Sequence, residues 1–167
     1  MILSDVSLHA MLEQFIPEHA EHALVNPASV DIRIGKRMIL EVGCDKWHEY
    51  NLELMWTKSD PYSFAPKAFA LVDTYERIVV PNGYAIELKL KSSRAREGYN
   101  HSLAFWVDPG WDGILTMEIH NITRYTGLPL WTGLRFAQII VHQLDQPAAK
   151  PYAGRYNKAL GVERSKA

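Results

Sequence analysis

Cysteine is nearly absent from this chain: Cys44 is the only one in 167 residues. That excludes an intramolecular disulfide and every multi-thiolate metal site, and it makes a reducing, cytoplasmic compartment the expectation. An excess of charge of either sign is also missing. The formal net charge is −1, so no global field draws the molecule to nucleic acid or to an anionic membrane surface. A small anionic ligand would need a local cluster of Lys and Arg. No apolar run is long enough to span a bilayer. The opening "MILSDVSLHAMLEQF" lacks the charged start and apolar centre of a signal peptide. Nothing repeats at a fixed period, and no low-complexity linker divides the chain.

What is present suits one globular domain with a sizeable core, at 47% hydrophobic and 22% charged residues. Leu8, Met11, Leu12 and Phe15 fall at i, i+3, i+4 and i+7, which predicts a short helix capped by Ser4 or Asp5 and stopped before Pro17. From residue 28 onward the texture changes to short alternating or apolar runs, such as "SVDIRIG", "KRMILEVG", "YAIELKL" and "ILTMEIHN", broken by Gly, Pro, Asn and Asp. That spacing predicts a mainly β sandwich or barrel with a small helical appendage. The tail "AAKPYAGRYNKALGVERSKA" is polar and poor in core-formers, either a frayed end or a flap that orders over a ligand.

Chemistry has few places to reside. His19-Ala20-Glu21 matches the first half of a zinc signature in which His binds the metal and Glu moves protons, but the second half needs two cysteines that the chain lacks. His9, His19 and His22 read as surface histidines. The segment "WVDPGWDGILTMEIHN" is more informative. After its Pro-Gly turn, a period of two puts Leu115, Met117 and Ile119 on one face and Ile114, Thr116, Glu118 and His120 on the other. A solvated strand edge would look the same, yet a carboxylate on a partly apolar face is what a general base needs. About twenty residues upstream, "KSSRAREG" offers two serines with Lys91, Arg94 and Arg96, a set that can hold phosphate oxygens or simply form a solvated turn. Asp108 can accept from a sugar hydroxyl or serve as an ordinary turn residue.

Taken in order, "MILSD", "NPASVDIRIG", "FAPKAFALVDTYERIVVP", "KSSRAR", "VDPGWDGILTMEIHN" and "LPLWTGLRFAQI" resemble the dCTP deaminase family, the branch of the trimeric dUTPase superfamily that deaminates cytosine without zinc. The resemblance implies a β-clip, or distorted jelly-roll, with a short N-terminal helix in a homotrimer. Residues 1–150 would form that domain and 151–167 a flap over the triphosphate. It implies hydrolysis of dCTP to dUTP and ammonia, with Glu118 as the proton shuttle. The Ser-Ser-x-Ala-Arg loop would come from a neighbouring subunit. Ser92 and the backbone carbonyl of Ala104 would position the attacking water, and Arg96 would hold Glu118. Lys91 and Ser93 would bind phosphate oxygens, Arg94 and Ala95 would also contact the substrate, and Asp108 would hold the 3′-hydroxyl. Trp111 would shape the sugar and base pocket, Thr116 and Met117 would also contact the substrate, and Tyr152, Arg155 and Tyr156 would close over the triphosphate from the tail. Mg²⁺ would arrive with the triphosphate and no protein metal site is implied. The implied partners are dCTP and the chain itself, with no nucleic acid and no membrane.

Departures from the family pattern stand at Leu90-Lys91, Leu103, Phe105-Trp106 and Ala159, and the segment after Gly35 is short. The last suits a minimal, phage-type version, which would work in a host cytoplasm. Two rivals remain open: a bifunctional enzyme that goes on to dUMP and pyrophosphate, and a silent nucleotide-binding trimer.

Overall fold

The computed structural model describes residues 1–101 and 105–166. The predicted helix forms as α1 (Asp5–Phe15), with Leu8, Leu12 and Phe15 buried. Ser4 takes the N-cap position without a side-chain cap bond. An eleven-residue helix is marginal alone; three buried side chains, each contributing roughly 2 kcal/mol, are what hold it. Phe15 meets the ring of Tyr84 edge-on at 5.2 Å.

Strands follow: β1 (Val25–Asn26), β2 (Ser29–Gly43), β3 (Lys46–Asn51), a single helical turn α2 (Leu52–Met55), β4 (Tyr62–Phe64), β5 (Phe69–Val79) and β6 (Tyr84–Leu90). Then come α3 (Ser92–Glu97), β7 (Tyr99–His101), β8 (Trp106–Val107), β9 (Asp112–Asn121), β10 (Leu128–Leu130) and β11 (Arg135–Gln143). All described pairings between strands are antiparallel. The large sheet runs β7-β9-β5-β2-β11-β6-β8, with β1 and β3 also on β2, while β4 and β10 make a second, two-stranded sheet. This is the mainly β, curled architecture that the sequence pattern predicts.

The long β2 explains the curl. Its first half pairs with β11 (Asp31 opposite Gln138) and its second with β5 (Met38 opposite Val72) and β3. Sequence texture suggested two strands broken at Gly35. The structure has one, with a register shift between Ile34 and Met38. The cause is a buried carboxylate: Asp73 Oδ1 accepts from Arg37 N at 2.9 Å. A Cβ on residue 35 would stand 2.4 Å from that same oxygen, so only glycine fits. The β2–β3 hairpin turns on exposed Cys44 and on Asp45, whose φ of 54° is the left-handed conformation that Asp tolerates. Among the described residues no helix is long and apolar enough to cross a membrane.

Candidate active site

The alternation in the β9 sequence becomes an alternation of burial. Leu115, Met117 and Ile119 sink into the core, while Ile114, Thr116, Glu118 and His120 stay half-buried on the other face. The strand is no solvated edge. It pairs with β5 along one side, Leu71 opposite Glu118, and with β7 at its far end. Burial pushes the Glu118 carboxyl above the ordinary glutamate range, opposed by a hydrogen bond from its own backbone N–H. No cation among the described residues contributes to holding it ionised.

Glu118 lies in the wall of a cavity of about 610 Å³, within the range of small-ligand sites. Thr116 and Ile114 share its wall; Phe69 and Leu71 of β5 and Trp47 of β3 add apolar surface; Trp106, Asp108 and Trp111 stand at the turn. The rest of the lining is the tail: Tyr152, Tyr156, Ala159, Glu163, Arg164 and Ser165.

The tail is docked against the body rather than frayed. Tyr152 N donates to Pro109 O at 2.7 Å, Lys158 N to Asp112 O at 2.7 Å, and Ile114 N to Ala159 O at 2.8 Å. Further along, Glu163 N donates to Thr116 Oγ1 at 3.1 Å, and Arg164 stacks over Trp47. The glycines of the Asp-Pro-Gly-Trp-Asp-Gly turn make this approach geometrically available. Gly110 has φ 90°, and a Cβ there would meet Pro151 at 2.7 Å; one on Gly113 would meet Ala159 N at 2.9 Å. Asp112 braces the same turn, gripped by Arg77 through Nε at 2.7 Å and Nη2 at 2.9 Å, with Lys158 alongside. The Arg77 guanidinium, first, holds its carboxyl below the usual range.

"KSSRAR" is not an irregular loop. Ser92–Glu97 forms α3, closed by Gly98 in the left-handed conformation. Ser92, Ser93, Ala95 and Arg96 are exposed. Lys91 Nζ sits 2.5 Å from the buried Asp31, and Arg94 pairs with Glu97 at 2.7 Å. None of Lys91 to Arg96 lines the cavity of its own chain. Of the remaining expected residues, Asp108, Trp111, Thr116, Tyr152 and Tyr156 stand with Glu118. Met117 points its side chain into the core, and Arg155 reaches the carbonyl of Lys166 outside the cavity lining. Ala104, expected to hold the water, lies outside the described residues, as does Leu103.

A family model described as dCTP deaminase-like matches residues 2–144. The chain belongs to the dCTP deaminase-like family. It is similar to a dCTP deaminase of Thermococcus kodakarensis, 37% identical over 155 residues that cover 92% of each chain. It is also similar to an Acidothermus cellulolyticus protein named dCTP deaminase, dUMP-forming, 31% identical over 91% of this chain and 85% of that one. The fold resembles the crystal structure of the 2′-deoxycytidine 5′-triphosphate deaminase from Agrobacterium tumefaciens, with a TM-score of 0.69 at 19% identity. That alignment covers 85% of this chain and 47% of the other, so the chain spans about half the length of that protein.

Within this family assignment, several cavity residues escape sequence reasoning. Phe69 and Leu71 had a signal, since period two in β5 lays them along the face of Glu118 once the strands pair. Trp106 was marked only as a bulky departure from the family pattern, and it does line the cavity. Trp47, Glu163, Arg164 and Ser165 had no signal, because the hairpin and the tail reach the cavity only through tertiary folding.

Proposed function

We propose that this chain deaminates dCTP to dUTP and ammonia at an interface between subunits of a homotrimer. The observation that carries the reading is the half-buried Glu118, placed in an aromatic cavity beside Asp108 and Trp111 with its carboxyl pushed toward neutrality. The names borne by its relatives supply the substrate. Glu118 takes a proton from water as the oxygen bonds to C4 of cytosine. It delivers that proton to N3, then takes the remaining proton of the C4 hydroxyl and passes it to the amino group, so that C4=O forms as the C4–N bond breaks and ammonia leaves. One carboxyl thus serves first as base and then as acid, which suits a group whose pKa is raised.

The exposed serines and Arg96 of α3 do not line their own chain's cavity, which supports a neighbour's Lys91–Arg96 segment completing the site: Arg96 on Glu118, Ser93 and Lys91 on phosphate, and Ser92 on the water together with the backbone carbonyl of Ala104. Positioning and a fixed set of donors then supply much of the rate. Mg²⁺ belongs to the substrate, carried by the triphosphate oxygens. Among the described residues no three His, Cys, Asp or Glu side chains cluster.

The test is a time course with dCTP and Mg²⁺, resolving dCTP, dUTP, dUMP and ammonia. Accumulating dUTP supports the reading, and Glu118→Gln should remove turnover while leaving the trimer folded. Prompt dUMP with pyrophosphate would favour the second reading, which the dUMP-forming relatives motivate. No turnover in a folded trimer would refute both.

A further inference from the structure

We propose that Trp106 is a positioning residue that sets recognition of the sugar 3′-hydroxyl by holding Asp108, a role resting on the dCTP-deaminating reading of the same cavity. Side chains two residues apart on an extended strand share a face, so the indole of Trp106 and the carboxylate of Asp108 meet. Trp106 Nε1 donates to Asp108 Oδ1 at 3.1 Å, and both residues line the cavity. Val107 between them is buried and sits opposite Ile86, which pins the strand.

The indole has backing of its own. Its ring lies against the imidazole of His142, with centroids 5.6 Å apart and planes tilted by 50°. His142 Nε2 stands 3.5 Å from Glu87 Oε2, and Lys89 Nζ holds Glu87 Oε1 at 2.5 Å. The arrangement runs from two strands of the large sheet to one oxygen of Asp108. An indole N–H can only donate, so it fixes Oδ1 and leaves Oδ2 to accept from a ligand hydroxyl. A nucleotide bearing a 3′-hydroxyl fills that acceptor; a 3′-deoxy nucleotide leaves a charged oxygen without its donor. Loss of the indole N–H frees the carboxylate to rotate away, and the penalty falls on the hydroxyl-bearing substrate alone.

The experiment compares kcat/KM for dCTP and for 2′,3′-dideoxycytidine triphosphate in the wild type, Trp106→Phe, Asp108→Ala and the double variant. Trp106→Phe should lower the preference for dCTP about fivefold, the size of one net hydrogen bond, through KM for dCTP and with little change for the dideoxy nucleotide. On the Asp108→Ala background the same substitution should change the preference no further. Trp106→His, which restores a ring N–H, should recover part of it. Equal losses on both nucleotides would mean that the indole packs on the base or the fold, and would overturn the proposal. A second readout needs no turnover: the indole N–H resonance assigned by its loss in Trp106→Phe should shift in Asp108→Ala, and an unmoved resonance overturns the proposal as well. Failure of the wild type to deaminate dCTP, or an unaltered preference in Asp108→Ala, would strike the reading of the cavity itself and carry the proposal down with it; a shifted resonance alongside either result would locate the error there rather than in the hydrogen bond.

Discussion

Asp73 is a buried carboxylate on a central strand, and its replacement by Asn offers a quantitative test of how the β2 bulge is held. The side chain is 6% exposed and receives Arg37 N at 2.9 Å in the space left by Gly35. Its second oxygen lies 3.6 Å from where a side chain on Gly161 would begin, so it also underlies the docked tail. Burial pushes its pKa from 3.8 up to about 6, against the opposing pull of the Arg37 N–H, its own N–H, the Arg37 charge and the Lys36 N–H. The native state therefore binds a proton that the unfolded chain has released between those two values. Stability associated with this group is fully present below about pH 4 and is lost as pH rises through about 6. The shift corresponds to ~3 kcal/mol per chain. Asn keeps an oxygen for Arg37 N and cannot ionise. Urea denaturation of wild type and Asp73→Asn at matched protein concentration, from pH 4 to pH 8, should show the variant gaining relative to the wild type by roughly 3 kcal/mol across that window. Carboxylates held low, such as Asp112 and Glu87, run in the opposite direction but are common to both proteins and cancel in the difference. A difference that stays flat with pH would refute the reasoning.

Other expectations follow from the same geometry. Arg96→Ala and Glu118→Gln should each be inactive alone, yet mixed one to one as re-associated trimers they should regain about a quarter of wild-type activity, because one pairing in four joins an intact glutamate to an intact loop; no recovery would place both groups in one chain. The acidic limb of kcat/KM should fall above the ordinary glutamate range, since raised Glu118 must lose its proton to act as base and activity drops as pH falls through its pKa. A limb at the ordinary value would remove burial as the tuning device. Gly110→Ala should cost roughly 1–2 kcal/mol in a left-handed position and release the tail, read as faster tryptic cleavage after Arg155 and Lys158 with KM rising more than kcat. An equally protected tail would show that Pro151 and Tyr152 adapt.

The sequence carried those features whose signal is local. Helix α1 was legible because Leu8, Leu12 and Phe15 repeat at the helical period, and the facing of Glu118 because β9 alternates without interruption. The segment proposed to complete the site was legible only as a motif. Nothing in "KSSRAR" reports that its serines open a helix closed at Gly98, or that Lys91 turns back to Asp31, a partner sixty residues away. The single β2 strand was hidden because Gly35 looks like punctuation until Asp73 is seen to fill its missing side chain. The tail's composition allowed either disorder or docking. What decides is shape, in the glycines of a turn some forty residues earlier that leave room for its backbone.

The hairpin turn that joins β2 to β3 has a practical consequence. Its exposed Cys44 is the sole thiol of the chain, and three residues beyond it Trp47 receives Arg164 from the tail. A fluorophore attached there needs no background substitutions and sits near the point where the tail touches down. Paired with a second dye near the chain's last residues, it becomes a ruler, readable on single molecules, for whether the tail stays docked when dCTP is added.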